Sequence, residues 1–115
     1  MATEADYQAR INVSSDGANV NVEASGWLDF TNSAELKDIL KSAGAEAESV
    51  CVDLRQAQFI DTAVLEYLAR AGKALLGREK RLTTLVREGS HPQRVLRIAS
   101  LGELIEVIAT PAPAT

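Results

Sequence analysis

The chain has 115 residues, 46% hydrophobic, 24% charged and only 4% aromatic, which suits one domain with a modest aliphatic core and leaves no room for two. A single cysteine excludes an internal disulfide, and no apolar stretch is long enough to span a bilayer. The net charge of -4 hides an asymmetry: residues 1–69 hold 4 Lys/Arg against 12 Asp/Glu, whereas residues 70–97 hold 8 against 2.

Tyr7 to Val13 alternates apolar and polar residues, the period of a half-exposed strand. Ser14-Ser15-Asp16-Gly17 reads as a turn, and Val20 to Ala24 alternates again, so the two runs are expected to form an antiparallel hairpin that Gly26 ends. Trp27-Leu28-Asp29 then leads into a loop. Asn32, with Glu35 three residues on, resembles a capping box for a helix with the stripe Leu36, Ile39, Leu40 and Ala43, stopped by Gly44.

Val50-Cys51-Val52-Asp53-Leu54 is short and rich in apolar β-branched residues, the pattern of a central strand covered on both faces, with Cys51 a small buried hydrophobe. From Val64 the residues Leu65, Leu68, Gly72, Leu75 and Leu76 recur at helical spacing, opposite Glu66, Arg70 and Lys73. Asp61 is a preferred N-cap type, which puts Thr62 at the first helical position, near solvent.

Gly77 reads as the stop of that helix, and Leu82 to Val86 as a strand parallel to the central one through a right-handed crossover. Ser90-His91-Pro92 opens a further helix with Val95, Leu96 and Ala99 on its apolar side. Leu104 to Ile108 suits a strand or a short helix, and the strand is favoured. Residues 1–108 are thus expected to form the domain, and residues 109–115 a flexible Pro/Ala tail.

Catalytic chemistry finds little support. One His and one Cys cannot assemble a Cys/His metal site, and His91 fits a helix start better than a base. Gly72 to Gly77 superficially looks like a phosphate loop, but Arg78 and Glu79 follow where Lys and Ser/Thr are required. The basic residues of 70–97 are dispersed over two helices and a strand without stacking aromatics between them, which argues against nucleic acid and for an acidic protein surface. The expectation is a non-enzyme with no metal or cofactor. The N-terminus, MATEADYQAR, lacks the order of a secretory signal, so a cytoplasmic protein without direct membrane insertion is expected.

The run Cys51-Val52-Asp53-Leu54, five residues, then Ile60-Asp61-Thr62-Ala63-Val64-Leu65 resembles the signature of STAS domains, the family of bacterial anti-sigma factor antagonists and of the cytoplasmic domains of sulfate transporters. Gly26-Trp27-Leu28-Asp29 is similar to the Gly-x-Leu-Asp turn of that family, and His91 to Ile98 with Ser100-Leu101 resembles its penultimate helix and turn. The likeness covers Tyr7 to Ile108.

The resemblance implies an α/β fold: a single STAS-like domain with a mixed four- to five-stranded sheet and helices mainly on one face. It also implies a partner-switching regulator that binds a serine/threonine kinase serving as anti-sigma factor and is released when Thr62, the matching phospho-acceptor, is phosphorylated. The alternative implied role is an accessory subunit of a lipid-transporting ABC system, docking on a transporter subunit through the Thr62 helix. The partner-binding residues are expected to be Trp27, Asp29, Asp61, Thr62, Ala63, Val64 and Leu65, with Trp27 sharing a patch with the surface around Val64 and Leu65. Val64 stands where the family usually has Gly, so it is expected to add bulk beside the acceptor. The oligomeric state is left open.

Overall fold

A computed structural model describes residues 7–112. Residues 1–6 of the expected domain and residues 113–115 of the expected tail lie outside the described residues. Among the described residues the first strands are β1 (Arg10–Asp16) and β2 (Asn19–Leu28), which pair antiparallel with Val13 opposite Val22, so the strand expected from Tyr7 starts only at Arg10. The hairpin turns tightly at Gly17-Ala18, so β1 runs through Ser14 to Asp16, where a turn was expected. Backbone pairing needs no apolar side chain, and polar residues are at home on an edge strand.

Gly26 does not end β2. It sits in the strand at φ +84°, at a register shift before Trp27, and the carbonyl oxygen of Gln8 passes 2.2 Å from where a Cβ would stand. Only a residue without a side chain admits both the positive φ and the crossing segment. The bend lets one strand serve two partners. The first half of β2 pairs parallel with β3 (Ser49–Asp53), and the second half pairs parallel with β4 (Ala57–Ile60), a short strand the sequence pattern did not reveal.

With β5 (Leu82–Arg87) and β6 (Ile105–Thr110) the sheet has, among the described residues, six strands in the order β1-β2-β3-β5-β6, with β4 beside the end of β2. β3, β5 and β6 are mutually parallel neighbours, as the helical crossovers between them require. The last strand runs through Thr110, beyond the expected Ile108. β3 is central, yet it is covered on one face only: Val50 and Val52 are buried, whereas Cys51 and Asp53 are half-buried. Cys51 is therefore not the fully buried residue expected.

Helices α1 (Ala34–Glu46), α2 (Thr62–Leu76) and α3 (His91–Ile98) bring their apolar sides to the sheet. The core joins Val22, Leu28, Leu36, Leu40, Val52, Leu68, Leu75, Leu82 and Ile105, so truncating a residue such as Leu68 costs about 2–5 kcal/mol. Gly44 lies inside α1, against Ala71 and Ala74 of α2, because two small-residue faces meet there; it is not the expected stop. The buried stripe of α2 is Val64, Leu68, Ala71, Gly72 and Leu75, and Leu76 is exposed. At Gly72 a Cβ would stand 2.5 Å from Ile105 Cγ2 and 2.8 Å from the Leu104 oxygen, so this close approach to β6 tolerates no side chain.

Several of the concentrated basic residues turn out to serve the fold. Arg78 donates to the Gly44 and Ala47 carbonyl oxygens at the end of α1, and Arg81 to those of Gly102 and Ile105. Among the described residues no helix is long and apolar enough to cross a membrane.

Candidate functional site

Parallel strands point their C-terminal ends the same way, so the segments that follow β2, β4 and β5 meet at one end of the sheet, where α/β folds place their sites. Those segments are the loop Asp29 to Ser33, the junction Asp61-Thr62, and Ser90-His91 at the head of α3.

Asp61 is the N-cap of α2: its Oδ1 accepts from the Val64 N–H at 3.1 Å. Its Oδ2 accepts from the Phe30 N–H at 2.9 Å, and its own N–H donates to the Leu28 oxygen at 3.2 Å. One carboxylate thus holds the helix start and the β2–α1 loop together. Thr62 follows as the first helical residue, with its side chain exposed. The cap occupies the Val64 N–H, which leaves those of Thr62 and Ala63 without a partner among the described residues, at the positive end of the helix.

The loop organises itself. The Asp29 carboxylate accepts from the Thr31 N–H at 2.9 Å and from the Thr31 hydroxyl, and the Thr31 hydroxyl, ahead of the backbone donors, holds that carboxyl below the usual carboxylate range. Asn32 accepts from the Asp29 N–H at 3.0 Å and donates to the Trp27 oxygen at 2.9 Å. It therefore does not cap α1. Ser33 holds the cap position without a side-chain cap bond, and its hydroxyl donates to the Asp29 oxygen.

Beside this junction lies a column of rings. Trp27 stacks on Phe59, with centroids 4.1 Å apart and planes 11° apart; Phe59 stacks on His91 at 4.5 Å and 19°; Tyr7 meets Trp27 edge-on at 6.5 Å. His91 Nδ1 accepts from the Ile60 N–H at 3.2 Å, so the neutral ring carries its proton on Nε2. Burial, ahead of nearby Arg94, pushes the His91 pKa below its ordinary value. His91 does open a helix as expected, and it also braces the strand leading into Asp61.

The structure brings Asp29, Asp61, Thr62 and Trp27 to one end of the sheet, with Ala63 and Leu65 half-buried behind them. Val64 is excluded from the surface. Its side chain is wholly buried, because the third helical position faces the sheet, so the branched carbons pack into the core and add no bulk beside Thr62. Trp27 accordingly shares its patch with Tyr7 and Phe59, not with Val64.

Phe30 was missed altogether. At 72% exposed it is the most prominent apolar side chain at this end, and an aromatic set among turn-forming residues was the one signal available. Phe59 and His91 offered no sequence signal, since only strand register places them beside Trp27. Among the described residues no group of His, Cys, Asp and Glu could hold a metal ion. Burial, ahead of Asp53, raises the Cys51 thiol pKa, which keeps it protonated. What this arrangement offers chemically is an exposed hydroxyl at a helix start beside an exposed apolar patch.

The family model described as "Mlab, STAS domain" matches residues 11–106. An anti-sigma factor antagonist from Mycobacterium paratuberculosis has a similar structure, with a TM-score of 0.79 and 20% identity over 96% of this chain and 92% of that one. A protein from Thermotoga maritima, provisionally assigned as an anti-sigma factor antagonist, superposes with a TM-score of 0.69 and 13% identity over 87% of this chain and 86% of that one. No curated protein matches the chain.

Proposed function

Because the chain belongs to the STAS domain family, we propose that it is a partner-switching regulator of the anti-sigma factor antagonist type. In this reading it binds a kinase that doubles as the anti-sigma factor and is released when Thr62 is phosphorylated. The observation that carries the reading is the position of Thr62: exposed, first in α2, and next to a carboxylate that ties the helix to the Phe30 loop.

A phosphate on Thr62 adds a charge of about -1.5 to -2. The Thr62 and Ala63 N–H groups and the helix dipole receive that charge, so the fold tolerates it. The surface does not, since the charge stands beside Asp61, whose carboxylate holds the loop that presents exposed Phe30, where a partner must displace water. Binding is lost while folding is kept. The role asks for no turnover by the chain itself, and it suits an intracellular protein.

A second reading, an accessory subunit docking on a lipid-transporting ABC system through the same helix, is favoured by the description of the matching family model, which names Mlab. Incubation with a candidate kinase and ATP, read by intact mass and peptide mapping, tests the first reading. One phosphate at Thr62 supports it; a chain that stays unmodified and copurifies with an ABC transporter subunit supports the second.

A further inference from the structure

The two margins of the sheet are built differently. β1 exposes Arg10, Asn12, Ser14, Ser15 and Asp16, a polar edge that discourages strand addition. β6 reads IEVIAT, with Glu106 its single charge and neither Lys nor Pro within it. Among the described residues no strand pairs with its outer side.

The backbone of that outer side is open. Glu88 N–H donates to the Thr110 oxygen at 2.8 Å, so the polar groups of Thr110 turn toward β5. In a parallel ladder a residue's N–H and C=O point the same way and alternate along the strand, which turns those of Ile105, Val107 and Ala109 outward. Arg81 caps the Ile105 oxygen at 3.2 Å. Those of Val107 and Ala109 have no partner among the described residues.

Alongside runs a groove of about 350 Å³ between β6 and α3, with Leu96, Val107 and Ala109 as its apolar lining and Gln93 and Arg97 at its rim. Ile98, at the end of α3, is 81% exposed. Arg97 takes part in none of the ion pairs of the described residues.

We propose that the outer edge of β6 receives an extended, acidic segment of a protein partner as a seventh strand. Its backbone pairs with Val107 and Ala109, alternate apolar side chains enter the groove, and a carboxylate meets Arg97. Arg94 and Arg97, both exposed on α3 and in none of the ion pairs of the described residues, favour that sign. A second copy of this chain fits poorly, because two-fold pairing of β6 with β6 brings the two Arg97 side chains to the same side of the joined sheet, near the axis. The surface is separate from Thr62 and stands whichever way its switching is decided.

The test is titration of the ¹⁵N-labelled full chain with two synthetic peptide pools of alternating apolar and charged residues, one pool carrying Asp/Glu and the other Lys/Arg. The acidic pool alone is expected to shift the amides of Val107, Ala109 and Ile98 and to slow exchange at the first two. Arg97→Glu, an exposed helical change, weakens that binding at least about tenfold. Ala109→Pro removes an outward N–H at an exposed residue and abolishes it; if that variant misfolds, Arg97→Glu still decides. Equal binding of both pools, no binding, shifts mapped elsewhere, undiminished binding by Arg97→Glu or folded Ala109→Pro, or a wild-type dimer joined through β6 would each overturn the proposal.

Discussion

Asp61 reaches Phe30 across 31 residues, accepting its N–H at 2.9 Å with one carboxylate oxygen while the other caps α2. Asp61→Ala removes both bonds and is expected to lower stability by about 1–2 kcal/mol. Asp61→Asn keeps one acceptor and a good cap type, so its cost is expected to be smaller, below about 1 kcal/mol. Urea unfolding with hydrogen exchange at the Phe30 amide separates the two bonds. Unchanged exchange at Phe30 in the Ala variant would show that the loop needs no tether.

Thr62 has an exposed side chain and no side-chain hydrogen bond among the described residues, so Thr62→Ala is expected to change stability by no more than about 1 kcal/mol and to accept no phosphate. Thr62→Glu is expected to stay folded and lose partner affinity. Circular dichroism and a binding isotherm with the purified partner check both. A Glu variant that binds like wild type would remove charge from the proposed release step.

Phe30 and Trp27 differ in what holds them. Phe30 is 72% exposed, so Phe30→Ala is expected to leave stability within about 0.5 kcal/mol and to weaken partner binding. Trp27, 41% exposed and stacked on Phe59, is expected to cost about 1–2 kcal/mol on truncation and to weaken binding as well. As the single tryptophan it reports directly: its emission is expected to shift when partner is added. Constant emission, with Trp27→Ala binding as tightly as wild type, would place the interface elsewhere.

His91 links stability to pH. Its unfolded pKa is about 6.5 and its folded value is lower, through burial first and Arg94 second. Between the two values the unfolded chain binds the extra proton, so stability is fully present above the unfolded value and declines as pH falls through that window toward the folded one. Protonation also converts Nδ1 from acceptor to donor and breaks its bond from the Ile60 N–H. Urea midpoints measured at about pH 7.5 and about pH 5.5 are expected to show this decline in wild type and not in His91→Gln. The depressed carboxyls of Asp29 and Asp53 act at lower pH, where their contribution is lost as pH falls through their folded values.

Thr84 is wholly buried in β5, and its hydroxyl oxygen finds no partner among the described residues. Replacing the hydroxyl by a methyl removes an unpaid desolvation cost, so Thr84→Val is expected to raise stability by about 1 kcal/mol. Thermal and urea unfolding measure it. A loss of stability would mean that the hydroxyl has a partner in solution.

Periodicity was enough to locate α2, β5 and α3 in this sequence, and residue chemistry was enough to name Asp61 as a cap and Ser90-His91-Pro92 as a helix opening, because those signals act within a few residues. The same local logic failed where a distant segment decided the outcome. Gly26 reads as a terminator, yet its lack of a Cβ lets Gln8 cross the strand and lets β2 continue to β4. Gly44 reads as a stop, yet it is the contact at which α1 approaches α2. The candidate site divides the same way. Thr62 and Asp61 were legible as a helix start, whereas the burial of Val64, the tie from Asp61 to Phe30 and the column from Trp27 through Phe59 to His91 depend on strand register and helix rotation, which bring together residues about 30 positions apart that carry no mark of one another in the sequence.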